Sequence, residues 1–172
     1  MSTLSEFMGS RSPSPDYTAL VADTTDAYVL AVDLADTSAN DPSGYIVANE
    51  GITEHSGSLN PQTTDTQYIH SGQRTAKTGN QRQFALSGDR FSGDPFQDAV
   101  LAHGMKYGLG NAIIRDYVYF NALTGKGEKG KIAIMVEDDT AGGAGENATF
   151  SATLYAQGTP TEYTYSAQPS GG

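Results

Sequence analysis

Three stretches in the second half of the chain alternate apolar with other residues: NAIIRDYVYFNA at 111–122, KIAIMVED at 131–138 and NATFSATLYAQ at 147–157. A period of two is the strand period, which sends successive side chains to opposite faces of a sheet. In the first stretch Ile114, Val118 and Phe120 share a face with Asp116, and Ile113, Arg115, Tyr117 and Tyr119 share the other. Both faces carry large side chains, so both are expected to be covered. The second repeats the pattern with Ile132, Ile134 and Val136. In the third, Phe150, Ala152, Leu154 and Ala156 face one way and Thr149, Ser151, Thr153 and Tyr155 the other. Composition agrees: Gly is 20 of 172 residues, Thr, Ser and Asp are plentiful and Leu is scarce. Short strands joined by turns, hence a mainly β fold, are the expectation.

The rest of the chain adds to this frame. AYVLAVD at 27–33 and GYIVANE at 44–50, around the turn-forming DTSANDPSG, predict a first hairpin. QRQFALSG at 81–88 predicts a strand with Phe84 and Leu86 on one face. GDPFQDAVLAHGMKYG at 93–108 is the one convincing helix. Asp94 is its cap, Pro95 suits the first helical position, and Gln97 stands three after Asp94 as in a capping box. Phe96, Val100 and Met105 supply its apolar stripe, and Gly104 weakens its last turn. TEYTYSAQPSGG at the end offers a last edge strand before fraying. Residues 1–16, Ser-rich with Pro13 and Pro15, read as a flexible N-terminal arm. Residues 17–166 are expected to form a single β domain, and 167–172 a flexible tail. Residues 51–80 carry one short apolar cluster, Tyr68–Ile69, and read as a long polar loop. Such a loop is expected only where it is functional or ordered by a partner.

Bulk numbers narrow the function classes. Net charge is −10, and it is uneven: residues 1–70 hold ten acids and one base, Arg11, whereas 71–172 hold ten acids and nine bases. Such a surface does not bind nucleic acid by neutralising phosphate, which needs clustered Lys and Arg. There is no cysteine, so no disulfide or thiolate site is available. No apolar run is long enough to span a bilayer, and the N-terminus lacks the charged-then-apolar order of a signal peptide. A soluble protein without a secretory signal is expected.

TGKGEKGK at 124–131 has the glycine and lysine spacing of a phosphate-binding loop. That loop needs a helix after it, and Ser or Thr after the Lys to hold magnesium. Here Lys131 is followed by Ile132 and a period-two stretch, so the segment is expected to be a hairpin turn. His55, His70 and His103 are scattered and form no zinc motif. Glu137, Asp138, Asp139 and Glu146 flank a Gly-rich loop, a possible calcium site whose spacing fits no known loop and which reads better as a solvated turn. No G-x-S-x-G is present. No catalytic, cofactor-binding or metal residues are assigned, and an enzyme is not expected. An arm and a polar loop that cannot fold alone, with strands covered on both faces, fit a subunit that orders on its neighbours.

SGQRTAKTGNQRQFALSGDRFSGDPFQDAV, YGLGNAIIRDYVYFNALTGKGEKGKIAIMVEDD and GENATFSATLYAQGTPTEYTY, taken in that order, resemble the major tail (tail tube) protein of long-tailed bacteriophages, the siphophages. The resemblance covers roughly residues 50–166. It implies an antiparallel β-sandwich or partial barrel with one flanking α-helix, the phage tail tube fold. It implies a structural virion subunit that forms hexameric rings, stacked into a tube through which DNA leaves the capsid during genome ejection. Implied partners are other copies of the chain and the tape measure, tail terminator and baseplate or distal tail proteins. Double-stranded DNA passes without specific binding, no membrane and no cofactor take part, and assembly occurs in the host bacterial cytoplasm. On this reading 51–80 is the inter-ring loop, with Glu54, His55, Asn60, Thr64, Asp65, Tyr68, Arg74 and Lys77 as contact residues. Acids are expected to line the lumen so that DNA slides; Asp33, Asp36 and Glu50 are the candidates. Two alternatives stay open: the tube of a contractile tail or related secretion system, and a carbohydrate- or receptor-binding β module of a tail tip.

Overall fold

The computed structural model describes residues 3–37 and 41–166. In chain order its elements are α1 (Leu4–Met8), β1 (Tyr28–Val32), β2 (Ile46–Val47), β3 (Ile52–Ser58), β4 (Gln62–Tyr68), β5 (Gly72–Gly79), β6 (Gln83–Asp89), α2 (Pro95–Val100), α3 (His103–Tyr107), β7 (Ile114–Asn121), β8 (Lys126–Ala141), β9 (Thr149–Ala156) and β10 (Thr161–Thr164). One antiparallel sheet runs β2–β1–β7–β8–β9–β6–β3, with β10 paired to the first residues of β8, and β4 and β5 pair only with each other. The sheet curls. His55 on β3 meets the ring of Tyr119 on β7 at 6.2 Å, although three strands separate them in the sheet order. The chain is a curled half-barrel with few helices.

The two-faced alternation explains the core. Leu30, Phe84, Leu86, Tyr117, Ile132, Ile134, Phe150 and Leu154 turn into the curl, where Phe96, Val100 and Met105 of α2 and α3 close it. Val29, Ala31, Val118 and Phe120 point to the other side of β1 and β7, where Leu4, Met8, Tyr45 and Val47 cover them. Both faces of β7 are therefore buried, as its sequence predicts. Tyr163 and Tyr165 complete the second layer over Phe120, the latter ring stacked at 5.2 Å. The first hairpin forms as Ala31↔Val47 and Val32↔Ile46.

Several expectations change. Of the expected flexible arm, residues 3–16 are tied to the domain. Thr3 and Glu6 make a reciprocal capping box, and Leu4 and Met8, four apart, are both fully buried. The N–H of Ser14 then donates to the carbonyl of Leu123 at 2.9 Å. Residues 51–80 are strands, not a loop: β3 joins the main sheet, and Gln62–Gly79 is a hairpin. Their polar side chains hid them because so few are buried. In TGKGEKGK only the start is turn. Gly125 (φ +75°) closes it, and Lys126–Lys131 already pairs with β7 and β10. Gly127 is required there, because a Cβ would lie 2.0 Å from the carbonyl oxygen of Tyr119.

The flanking helix starts where expected, with the N–H of Gln97 donating to Asp94, but it is in two pieces. Val100 and Met105 stand five residues apart, about 140° around a continuous helix. An extended residue, Ala102, resets the phase so that both reach the core. The Gln97 side chain does not complete the capping box and is used elsewhere. The tail at 167–172 lies outside the described residues.

Candidate assembly interface

Four strands of the half-barrel share a surface that no other element covers among the described residues. Registers place Ser56, Ala85, Thr153 and Met135 in one row, and Glu54, Ser87, Ser151 and Asp138 in the next. Their neighbours along each strand, such as Leu86, Ala152 and Leu154, point into the core. Apart from Met135, the outward rows are hydroxyls, small side chains and carboxylates. Neither Lys nor Arg occurs in β3, β6, β9 or the second half of β8, residues 134–141. The arginines flanking β6 are turned to other partners: Arg82 binds Glu128 at 2.7 Å beneath the sheet, and Arg90 binds Asp98. Lys106 of α3 reaches Asp139 near the end of β8, and three other carboxylates are held by hydroxyls. Thr153 donates to Glu137 at 2.8 Å, Ser151 to Asp138 at 3.1 Å, and Ser56 to Glu54 at 2.6 Å.

This four-stranded wall has two open edges. β3 pairs only with β6 among the described residues. At the other side β7 stops at Ile114↔Ala133, so β8 from Ile134 onward has a strand partner, β9, on one side alone. Free edges of this length invite pairing with another chain.

The eight expected contact residues divide between two elements. Glu54 and His55 lie on β3, with the His55 ring turned inward against Tyr119. Thr64, Asp65, Tyr68, Arg74 and Lys77 lie on the hairpin, where Thr75 donates to Asp65 at 2.7 Å and Arg74 lies 5.9 Å from the Tyr68 ring. Asn60 joins the two parts. It has φ +41°, and its amide donates to Gln83 at 2.7 Å.

Of the candidate lumen acids, Asp33 does not fit. It is 3% exposed, and its carboxylate accepts from the Thr37 hydroxyl. The residue ends a strand that is buried on both faces. Asp36 and Glu50 are exposed, and Asp36 stands 4.0 Å from Arg115. The acids on the open wall, Glu54, Asp89, Glu137 and Asp138, were invisible as a set in the sequence, because only strand registers bring them together.

Among the described residues, no three His, Asp or Glu side chains group as metal ligands. The acids around the 142–148 loop have separate partners: Asp139 is bound by Lys106 at 3.0 Å, and Glu146 accepts from the N–H of Gly143. Lys106 holds the Asp139 carboxyl below its usual range. No helix among the described residues is long and apolar enough to cross a membrane.

No family model and no curated protein matches the sequence. Solved structures do match. The subunit in the tail of an empty gene transfer agent (GTA) particle, computed with helical refinement and C6 symmetry, is 14% identical, with a TM-score of 0.60. That match covers 84% of this chain and 100% of the other. A chain of the virion of the native GTA particle matches with a TM-score of 0.54 at 14% identity, over 83% of this chain and 100% of that one. This is a tail tube fold.

Proposed function

We propose that this chain is the tube subunit of a phage-like tail, and that its copies form six-membered rings stacked into a conduit for double-stranded DNA. One observation carries the reading: a four-stranded wall without Lys or Arg, open at both edges. Edge pairing between copies, β3 of one with the second half of β8 of the next, turns such walls into a closed cylinder. The contact joins two different surfaces, so it propagates head to tail and closes into a ring at a fixed rotation. The C6 symmetry of the GTA tail supports six copies. Within the ring the cation-free face turns to the bore. Carboxylates and hydroxyls there hold water and repel phosphate, so DNA slides without being trapped. The hairpin stands clear of the wall and reaches the next ring. The other tail proteins and the virion location follow from the same reading.

Negative-stain microscopy of the purified chain at rising concentration tests it. Six-fold rings or tubes with a central bore are expected. A compact monomer at every concentration would overturn the proposal.

A further inference from the structure

Two segments of this chain each expose a pair of apolar side chains and carry opposite charge. The first is the β4–β5 hairpin, which has strand partners only within itself. An isolated two-stranded hairpin is marginal in water. At its tip Ile69 is 94% and Tyr68 49% exposed. Residues 62–79 hold Arg74 and Lys77 against one acid, Asp65, leaving 19 acids against 8 bases in the rest of the chain. The hairpin is thus a basic element on an acidic protein.

The second segment is 16–28. It has no strand before β1, only a short 3-10 turn at Thr25–Ala27. Leu20 is 105% exposed and Val21 71%, as bare as in an extended peptide. Asp16, Asp23 and Asp26 flank them, and no Lys or Arg occurs from residue 12 to residue 73. Beside this segment lies a cavity of about 300 Å³ whose wall includes Phe7, Arg11, Asp26, Tyr28, Ile52 and His55, with the Arg11 guanidinium 5.0 Å from the Phe7 ring. The Nδ1 atom of His55 is buried there without a hydrogen-bond partner. Exposures this high show that the hairpin tip and the 16–28 segment do not cover each other within one chain.

We infer that the hairpin tip of one copy docks on the 16–28 segment of a second copy. Ile69 and Tyr68 lie against Leu20, Val21 and the neighbouring cavity, and Arg74 and Lys77 face Asp23 and Asp26. The occupant is a second copy because both halves of the match are on this chain and neither covers the other's apolar side chains; within the chain Asp23 accepts from the Asn121 amide at 3.1 Å through Oδ2. Opposite charge fixes partner and register. The inference rests on the tube reading and names the site that receives the hairpin.

The absence of cysteine gives a direct test. The double variant Ile69→Cys/Leu20→Cys is assembled and treated with a short bis-maleimide. A ladder of cross-linked multimers is expected on a denaturing gel, and none from either single variant. In parallel, Lys77→Glu is expected to raise the critical concentration for tube growth about tenfold, a loss in the range of one charged contact. Adding Asp26→Lys to Lys77→Glu is expected to restore most of it. Tubes with neither a ladder nor a rescue would overturn the docking site while the tube reading stands. A ladder from one single variant would also overturn the pairing. Failure of the unmodified chain to form tubes would overturn the tube reading itself, and the docking site with it.

Discussion

The side-chain amide of Gln97 donates to the backbone carbonyl of Glu50 at 2.8 Å, tying α2 to the turn that leads into β3. The same nitrogen also donates to the carbonyl of Asp89 at 3.0 Å, and Oε1 accepts from the N–H of Phe91 at 2.8 Å. Gln97 is 0% exposed. One side chain therefore satisfies backbone groups in the turn before β3, at the end of β6 and in the connection after β6, and fixes the end of the open wall.

Replacing Gln97 tests that role. Gln97→Leu keeps the volume but leaves a buried N–H and two carbonyls unpaired. A loss of about 2–4 kcal/mol is expected, read as a lower midpoint in urea. Gln97→Glu is expected to cost more, since a carboxylate would face two carbonyl oxygens.

Glycine spacing in TGKGEKGK separates structure from function. Gly127→Ala would bring a Cβ within 2.0 Å of the Tyr119 carbonyl and 2.4 Å of the Phe120 Cα. At Gly130 the nearest atoms are 3.5 Å away. Gly127→Ala is expected to destabilise by at least about 1–3 kcal/mol, the overpacking range, and Gly130→Ala by much less. Thermal melts of the two variants side by side read the difference.

The N-terminal helix gives a third expectation. Leu4 is fully buried among Met8, Val29 and Phe120. Leu4→Ala is expected to cost about 2–5 kcal/mol, the range for a core leucine. A free arm would show no change in the unfolding curve.

These three sites mark the limits of what the sequence shows. Alternation at 111–122, 131–138 and 147–157 exposed the core strands, because burial on at least one face leaves a period of two. β4 has no such pattern, since all seven of its residues are exposed. Short-range signals in STLSEFMG, the Thr3-to-Glu6 capping spacing and Leu4 with Met8, were present but outweighed by Ser and Pro nearby. The open wall needed long-range register: Glu54 and Asp138 are 84 residues apart and share a row only through β6 and β9.

Alkaline pH provides a fourth test. Burial pushes the Tyr45 and Tyr163 hydroxyls up to about 12, and Tyr117 rises for the same reason, aided by Glu128, to whose carboxylate its hydroxyl donates at 3.2 Å. These groups stay protonated in the folded chain after they would ionise in the unfolded one. Their contribution is complete below about pH 10 and is lost as pH rises toward about 12. Stability is expected to fall across that window, with tyrosinate absorbance appearing together with unfolding. Tyr117→Phe, which cannot ionise, is expected to make the fall shallower.

In the proposed tube the wall of β3, β6, β9 and the end of β8 encloses the bore. Ser151→Cys places a single thiol on that wall. In assembled tubes it is expected to react with a small maleimide but not with a maleimide carried on a globular protein too large for the bore, while the dissociated subunit reacts with both. A thiol in the tubes that the large reagent modifies as readily as in the free subunit would contradict the account, as would one that neither reagent reaches.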